Sequence, residues 1–354
     1  MSKPAIIVIG NGMVGYKFCE KLVSRSSNYR IIVFGEEPRR AYDRVHLSEY
    51  FSGKTAEDLS MSSASWYADH NIELYLGDPI QEIDRHNKTI HSLKGITLNY
   101  DYLVLATGSS AFVPDIPGIE KQGVFVYRTI GDLELMKAHA VNAKSGVVMG
   151  GGLLGLEAAK ALIDLGIPET HVVEFAPRLM PRQIDEAGSA MLQAKLSDLG
   201  LTIHLNKSTA CIAGEHQIEA LRFADETSLA TDMLVISAGI RPRDELARLA
   251  GLQVGARGGI VVDEKMQTSD SHIFAIGECA LHEGMIYGLV APGYEMAEVV
   301  VAQLAGNEKT FHGFDMSTKL KLIGVDVASF GDAFISGPDC RTIVFEDKHK
   351  GVYK

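Results

Sequence analysis

The sequence predicts an α/β protein with two Rossmann-like dinucleotide-binding domains. Two glycine-rich loops, at residues 10–15 and 150–155, each follow a short apolar strand and open a helical pattern. The apolar run after each of these helices ends at an acidic residue. An isolated glycine pattern has little specificity, but strand, loop, helix, strand and acid in this order is specific for a dinucleotide site.

The composition is that of an ordinary globular protein. The 354 residues allow roughly two or three domains, with 46% hydrophobic and 22% charged residues. The net charge of −11 disfavours a nucleic-acid surface or an anionic membrane as partner. No apolar run reaches the roughly 18 residues that a membrane helix needs. We therefore expect a cytoplasmic protein without nucleic-acid or membrane partners.

The cysteines and histidines predict no metal site. The four cysteines are Cys19, Cys211, Cys279 and Cys340, and none forms a C-x-x-C pair. This disfavours a structural zinc site, a disulfide framework, an iron–sulfur cluster or a redox-active dithiol in this chain. The twelve histidines show no H-E-x-x-H spacing, and we assign none as a ligand.

The first loop is predicted to bind a pyrophosphate. Its first glycine permits a tight turn, the second lets a phosphate approach the backbone, and the third lets helix pack on strand. The phosphates would lie at the helix N-terminus, where free N–H groups and the helix dipole favour negative charge. The assigned loop residues are Gly10, Gly12, Met13, Val14 and Gly15. The following strand ends at Glu36, which can bind a ribose diol, with Glu37 as the alternative.

The second loop repeats this plan after the strand SGVVM. Its assigned residues are Gly150, Gly151, Gly152, Leu153, Leu154 and Gly155. The next strand ends at Glu174, and a carboxylate at the ribose favours a free 2′-hydroxyl, so NADH is expected in preference to NADPH. Arg178 follows shortly afterwards and could soften the repulsion of a 2′-phosphate.

A further internal match supports two copies of one domain plan. The stretch from Asp101 to Gly108 resembles that from Asp232 to Gly239, and a polar, alternating stretch that predicts β-hairpins precedes each. Two dinucleotide sites in one chain indicate hydride transfer between two cofactors. One cofactor must be a nicotinamide, and the other must accept a hydride while staying bound, which points to a flavin.

The sequence also resembles the two-dinucleotide-domain flavoprotein reductases. The run TSDSHIFAIGECA at 268–280 is similar to their second FAD fingerprint, ATG at 106–108 to their turn near FAD, and SAGIRP at 237–242 to the NADH-domain counterpart, including Gly239. In that family an acidic residue contacts the ribityl chain; Glu278 takes its place, where many relatives have aspartate. The resemblance implies FAD contacts at Arg44, Ala106, Thr107, Gly108, Gly277, Glu278, Leu289 and Val290.

Longer motifs resemble the large subunit of NAD(P)H nitrite reductase. They are AYDRVHLSEYF, VEFAPRLMPRQID, GLVAPGYEMA and STKLKLIGVDVASFGD, and the resemblance extends from residue 4 to about 332. It implies an FAD-dependent oxidoreductase that takes hydride from NADH, as the electron-input half of an enzyme that reduces nitrite to ammonia. Electrons would pass to iron–sulfur and siroheme domains that follow in the family and are missing here, or to an equivalent carrier.

The resemblance also implies the domain layout. The FAD domain would comprise residues 1–116 and 245–310, split by an inserted NADH domain at 117–244. Residues 311–354 would be the start of a small α+β C-terminal interface domain. The oligomeric state stays open, with a homodimer as one option.

One departure from the family concerns the flavin site. Related ferredoxin reductases carry R-P-P-L-S-K, whose lysine pairs with the glutamate that matches Glu157. Here the lysine position holds Glu49, and Lys54 could substitute for it. We assign no catalytic residue, and keep Glu157 as a candidate nicotinamide contact or flavin tuner. The alternative is an ordinary first-turn glutamate favoured by the helix dipole.

Two alternative functions remain from the sequence, and a third is disfavoured. A stand-alone NADH:ferredoxin or rubredoxin reductase fits the missing downstream domains. A disulfide reductase of the same fold is disfavoured because the cysteine pair is absent. A flavin- and NADH-binding redox sensor would bind both cofactors without turnover.

Overall fold

A computed structural model describes residues 3–322, 325–331, 334, 341–347 and 350–354. The chain divides into two compact units. The first unit comprises Met1–His46, Thr55–Ser110 and Ile240–Phe314, and the second comprises Leu47–Lys54, Ala111–Gly239 and Asp315–Lys354. Short strands at Ser109–Ala111 and Ile240–Pro242 lie where the chain passes between the units.

The first unit is built on a parallel sheet. Its five strands have the spatial order Ile273–Ala275, Tyr102–Leu105, Ala5–Ile9, Arg30–Gly35 and Ile72–Leu76. A three-stranded antiparallel sheet consists of Ile80–Asp84, Thr89–Ser92 and Thr97–Asn99, and Ile260–Val262 pairs with Ala280–His282. The helices are Met13–Arg25, Trp66–Asp69, Glu245–Leu249 and Val290–Leu304, with a 3₁₀ turn at Gly277–Cys279.

The second unit repeats the parallel sheet. Its five strands have the order Leu201–His204, Glu169–Val173, Ser145–Met149, Met233–Ile236 and Val124–Val126. A three-stranded antiparallel sheet consists of Thr209–Ala213, Ala220–Phe223 and Ser228–Ala230. The helices are Ile130–Ala140, Leu153–Asp164 and Glu186–Asp198, with a 3₁₀ turn at Leu47–Tyr50. Hairpins pair Thr318–Leu322 with Val325–Ser329, and Glu346–Asp347 with Val352–Tyr353.

Buried apolar strands explain why both sheets form. Ile6, Ile7 and Val8 are completely buried in the central strand of the first unit, as are Val147 and Val148 in the second. Parallel strands are covered on both faces, so continuous apolar runs rather than alternating ones are expected. The predicted α/β class and the predicted hairpins before each repeated aspartate strand are confirmed.

The internal repeat has a structural basis. Asp101 Oδ2 accepts a hydrogen bond from the Ala5 N–H at 2.7 Å, and Asp232 Oδ2 accepts one from the Ser145 N–H at 3.1 Å. Ala5 and Ser145 are the first residues of the two central strands. Each aspartate therefore satisfies a backbone donor at the start of the strand that leads into a glycine loop.

Residues 47–54 fall within the predicted FAD domain at 1–116, but they group with the second unit. They pack with the second unit, where Lys137 Nζ lies 5.7 Å from the centre of the Tyr50 ring and Ser52 Oγ donates to Asp164 Oδ2 at 3.4 Å. Residues 315–354 also group with the second unit; Cys340, within the predicted interface domain, lies outside the described residues. The predicted assignment of one dinucleotide to each domain stays a prediction.

Two histidines on neighbouring strands make the stability of the second unit sensitive to acid. His204 Nε2 lies 3.2 Å from His171 Nδ1. Burial lowers the pKa of His171, partly offset by Glu169, and burial, His171 and Lys207 lower the pKa of His204. The unfolded chain therefore takes up protons that the folded pair resists, so the free energy of unfolding declines as pH falls below about 6.5.

We expect the Tm of the wild-type protein to fall by a few degrees between pH 7.5 and 5.5. Replacing His204 by glutamine should flatten this dependence, because one of the two resisted protonations is removed. The matched control is His216→Gln, since the His216 side chain is 87% exposed in the same unit. Equal slopes for His204→Gln and the wild type would show that the pair does not cause the effect.

Candidate functional site

Loop A, residues 10–15, leads into helix A, Met13–Arg25. Gly10 has a φ of +115°, and a Cβ there would lie 2.1 Å from the Ala106 carbonyl oxygen. A Cβ on Gly15 would lie 2.0 Å from the Gly10 oxygen, whereas one on Gly12 would meet nothing within 4 Å. Two of the glycines are thus required by packing, and the third faces open space.

Loop B, residues 150–155, has the same geometry before helix B, Leu153–Asp164. A Cβ on Gly150 would lie 2.2 Å from the Ser237 oxygen, and one on Gly155 would lie 1.9 Å from the Gly150 oxygen. A Cβ on Gly152 would again meet nothing within 4 Å. Gly12 and Gly152 are the N-cap residues of the two helices, and as glycines they have no side chain that could accept a hydrogen bond from the first helical N–H groups. Both loops therefore combine open space with helix N–H groups that lack a side-chain cap, and these features fit a dinucleotide pyrophosphate.

Glu36 lies in a cleft of the first unit. Arg243 Nη1 donates to Glu36 Oε2, and this bond is the main reason that the pKa of Glu36 lies below its usual value. The cleft has a volume of about 230 Å³. Its lining includes Gly10, Glu36, Pro79, Ile80, Thr107, Arg243, Leu246 and Leu249. An ionised carboxylate beside apolar walls fits a nucleoside, with the sugar hydroxyls on the acid and the base between the walls.

Glu37 has a different environment from Glu36. It accepts hydrogen bonds from Arg44 Nη2 and from the Tyr42 hydroxyl, the latter at 2.8 Å. The Arg44 guanidinium also lies 5.1 Å from the centre of the Tyr42 ring. The Arg44 backbone N–H points at Met13 Sδ at 3.3 Å, so the Arg44 backbone lies beside the first residue of helix A. The contacts favour Glu36 as the ribose acid and Glu37 as the residue that positions Arg44.

The turn Ala106–Gly108 closes over loop A and is tied to Arg243. The Thr107 hydroxyl donates to the Arg243 carbonyl at 2.7 Å, and the Arg243 N–H donates to the Gly108 carbonyl at 2.9 Å. Sequence reasoning did not assign Arg243. Its only signal was the run R-P-R-D at 241–244, which contains two arginines and gives no reason to choose between them.

The second FAD fingerprint also reaches helix A. Gly277 has a φ of +79°, and a Cβ there would lie 3.2 Å from Val14 Cγ2. Leu289 is the N-cap of Val290–Leu304 and makes no side-chain capping bond. The Ser109 hydroxyl donates to Glu278 Oε2 at 2.7 Å. The fold therefore brings Gly277 against loop A and joins Glu278 to Ser109.

Replacing Ser109 by alanine is expected to weaken FAD binding roughly tenfold. The substitution removes a hydrogen bond to a carboxylate, which contributes on the order of 1.5 kcal/mol, and leaves Glu278 less well oriented. The measurement is an FAD titration of the apoprotein by flavin fluorescence. Ser110→Ala is the matched control, because Ser110 is the exposed neighbour. Wild-type affinity in Ser109→Ala would contradict this role.

Glu174 is bound directly to loop B. Its Oε2 accepts a hydrogen bond from the Gly151 N–H at 2.6 Å, and its Oε1 accepts one from the Ala176 N–H at 2.7 Å. Arg178 is engaged elsewhere in the second unit. Its Nη2 donates to the Pro181 carbonyl at 3.2 Å, and its guanidinium lies 5.5 Å from the Phe334 ring centre. Glu174 is thus bonded to loop B, whereas the Arg178 guanidinium is engaged by Pro181 and Phe334.

The remaining candidates belong to the second unit. Gly239 has a φ of +116°, and its carbonyl accepts from the Phe112 N–H at 2.8 Å. Glu157 is half-buried on helix B. The pKa of Tyr127 is raised mainly by the burial of Tyr127 and, to a lesser extent, by the negative charge of Glu157. Lys54 Nζ pairs with Glu49 Oε2 at 2.5 Å. The lysine considered as a substitute in the family pattern is therefore bound to the glutamate that occupies the lysine position.

The chemistry of the thiols does not favour a disulfide reductase. Cys19, Cys211 and Cys279 are free, and Cys19 and Cys279 are buried. Burial raises the pKa of Cys279, the cysteine beside Glu278, and a protonated thiol is a poor nucleophile. Among the described residues, no group of three or more histidine, cysteine or acidic side chains could hold a metal ion, and no helix is long and apolar enough to cross a membrane.

Comparison with known proteins agrees with this geometry. The chain is 54% identical to the large subunit of NAD(P)H nitrite reductase from Klebsiella oxytoca and 50% identical to that of NADH nitrite reductase from Escherichia coli. Both similarities cover 100% of this chain but only 37% and 42% of those proteins. A NAD-dependent persulfide reductase from A. fulgidus superposes with a TM-score of 0.88 at 28% identity, covering 92% of this chain and 64% of that one.

The family model for pyridine nucleotide-disulphide oxidoreductases matches residues 4–306. This match and the relatives confirm the predicted resemblance, the two-dinucleotide fold class and the cofactor pair of FAD and NAD(P)H. The chain belongs to the pyridine nucleotide-disulphide oxidoreductase family and is an FAD-dependent NAD(P)H oxidoreductase.

Proposed function

We propose that this chain takes hydride from NADH and passes the electrons onward, as the electron-input half of an enzyme that reduces nitrite to ammonia. The observation that carries the proposal is the pair of open glycine loops, each with an ionisable acid at the end of the neighbouring strand. The similarity to nitrite reductase large subunits supports the nature of the overall reaction.

The first unit would hold FAD. The uncapped N–H groups of helix A and the Arg44 guanidinium complement the pyrophosphate, Glu36 accepts from the ribose, and Glu278 binds the ribityl chain. Arg243 keeps Glu36 ionised, so the carboxylate is a pure acceptor. When bound, the flavin supplies hydride acceptance and the release of single electrons.

The second unit would hold NADH. Helix B complements the second pyrophosphate, and Glu174 accepts from the adenosine ribose. The Gly151 and Ala176 N–H groups fix both Glu174 oxygens, so the carboxylate is oriented before the ligand arrives. Its negative charge repels a 2′-phosphate, which supports a preference for NADH over NADPH. Electrons would leave to iron–sulfur and siroheme domains or to an equivalent carrier, in the cytoplasm where NADH is supplied.

The test is an anaerobic absorption spectrum of the purified protein before and after stoichiometric NADH, with NADPH in parallel. We expect a yellow protein that NADH bleaches and that NADPH bleaches much more slowly. Turnover with ferricyanide, a one-electron acceptor, would exclude a non-catalytic sensor. A colourless protein that FAD does not reconstitute, or a yellow protein indifferent to NADH, would contradict the proposal.

A further inference from the structure

We propose that Phe175 is the adenine platform of the second unit, so that its ring stacks on the adenine of NADH. The proposal rests on the proposed function for the identity of the dinucleotide. It assigns to NADH a residue that lies directly between Glu174 and Ala176, and it adds a contact surface to a site so far built from backbone groups and one carboxylate.

The first observation is that Phe175 is exposed on a well-anchored turn. The residue is 76% exposed. The turn around it is held on both sides, because the Glu174 N–H donates to the His204 carbonyl at 2.8 Å and the Asn206 N–H donates to the Ala176 carbonyl at 3.2 Å. The aromatic ring therefore projects from a backbone that is already fixed, which lowers the conformational cost of using it to bind a ligand.

The second observation is the position of this ring relative to loop B. Both carboxylate oxygens of Glu174 are fixed, one of them by the Gly151 N–H of loop B. A ribose whose 2′-hydroxyl binds Glu174 carries adenine on the adjacent sugar carbon. The base must therefore lie within a few ångströms of the carboxylate, in the region of the next side chain along the turn. A single exposed apolar residue is common on protein surfaces. At this position, however, the planar adenine would lie beside the phenylalanine ring, and two planar aromatic groups can stack.

The first unit shows the same combination of acid and apolar wall. Leu249 is 79% exposed and lines the cleft that contains Glu36. Pro79 and Ile80 line the same cleft. In both units an exposed apolar side chain thus lies near the acid that would bind the ribose. Phe175 would thus give the second unit an apolar surface for the base, as Leu249, Pro79 and Ile80 do in the first unit.

The position also bears on cofactor choice. A 2′-phosphate would need a cation near Glu174, and the nearest candidate in the sequence, Arg178, instead donates to Pro181 and lies over the Phe334 ring. Phe175 offers a bulky apolar group in place of such a cation. Phe175 brings no charge that would offset a 2′-phosphate, so the preference for the free 2′-hydroxyl rests on the Glu174 carboxylate.

The experiment measures binding of 5′-AMP and ADP-ribose to the FAD-loaded protein by titration calorimetry. Base–aromatic stacking predicts that Phe175→Ala weakens both ligands roughly tenfold or more. Phe175→Tyr should restore wild-type affinity, because it keeps the planar ring. Leu135→Ala is the matched control, since Leu135 is 62% exposed in the same unit and should not affect either ligand.

A second measurement uses reduced nicotinamide mononucleotide, which lacks the adenosine half. Phe175→Ala should reduce kcat/KM with NADH roughly tenfold and leave the reaction with the mononucleotide unchanged. Unchanged binding of 5′-AMP and ADP-ribose in Phe175→Ala would overturn the adenine platform, whatever the flavin does. Weakened binding in a protein whose flavin NADH never bleaches would support the platform and overturn the proposed function instead.

Discussion

Replacing Gly152 by alanine is expected to weaken NADH binding strongly while the flavin stays bound. The added methyl group would meet no protein atom within 4 Å, so the fold should tolerate it. It would, however, occupy the space through which a pyrophosphate approaches the backbone. We expect the affinity for NADH to fall on the order of 100-fold, equivalent to about 2.8 kcal/mol, measured by anaerobic titration with flavin absorbance as the signal.

The matched control for Gly152 is Gly12, the corresponding glycine of loop A. Gly12→Ala also adds a methyl group in open space, and it should lower the affinity for FAD rather than for ADP-ribose. Gly155→Ala tests the other role of the glycines, because its Cβ would lie 1.9 Å from the Gly150 carbonyl. That variant should lose thermal stability. If Gly152→Ala is reduced by NADH like the wild type, loop B does not bind the NADH pyrophosphate.

Replacing Glu174 by glutamine should reduce both the use of NADH and the discrimination against NADPH. The carboxylate accepts one backbone hydrogen bond on each oxygen, whereas an amide has only one oxygen and would turn N–H donors toward a backbone N–H. The side chain at position 174 would therefore lose its fixed orientation as well as its negative charge. We expect kcat/KM for NADH to fall roughly tenfold or more, and that for NADPH to fall less because the repulsion of the 2′-phosphate is removed.

Glu169→Gln is the control for Glu174→Gln. Glu169 is an exposed acid at the start of the same strand, Glu169–Val173, so its removal changes the net charge equally but leaves the loop B contacts intact. Steady-state kinetics with both nucleotides and ferricyanide provide the comparison. An unchanged ratio of the two kcat/KM values in Glu174→Gln would show that another residue selects the nucleotide.

Features set by local backbone geometry were predictable from the sequence. Gly10 and Gly150 both have positive φ and face a carbonyl too close for a side chain, and only glycine satisfies both demands. The spacing of such residues after an apolar strand therefore identifies the loops directly. The acidic residues were predictable for a similar reason. The strand that precedes each acid pairs in parallel with the strand that precedes the glycine loop, so both strands end at the same edge of the sheet.

Features that depend on distant parts of the chain were not predictable. Arg243 reaches Glu36 from a backbone that is held by the Thr107 hydroxyl and the Gly108 carbonyl, which lie far away in the sequence. Residues 47–54 pack on helix B through contacts such as that of Ser52 with Asp164, although the neighbouring segments belong to the first unit. Neither contact leaves a periodic or spaced signal in the sequence.

The sequence by itself thus determined the two glycine loops, the presence of acidic residues after the strands that follow them, the fold class and the family. The tertiary structure decided which of Glu36 and Glu37 faces the cleft, that Lys54 binds Glu49, that Arg178 bonds to Pro181, and that Phe175 is exposed. The physical reason is that glycine loops and strand ends are encoded within a few residues of one another. Ion pairs and exposure, in contrast, depend on which side chains the completed fold brings together.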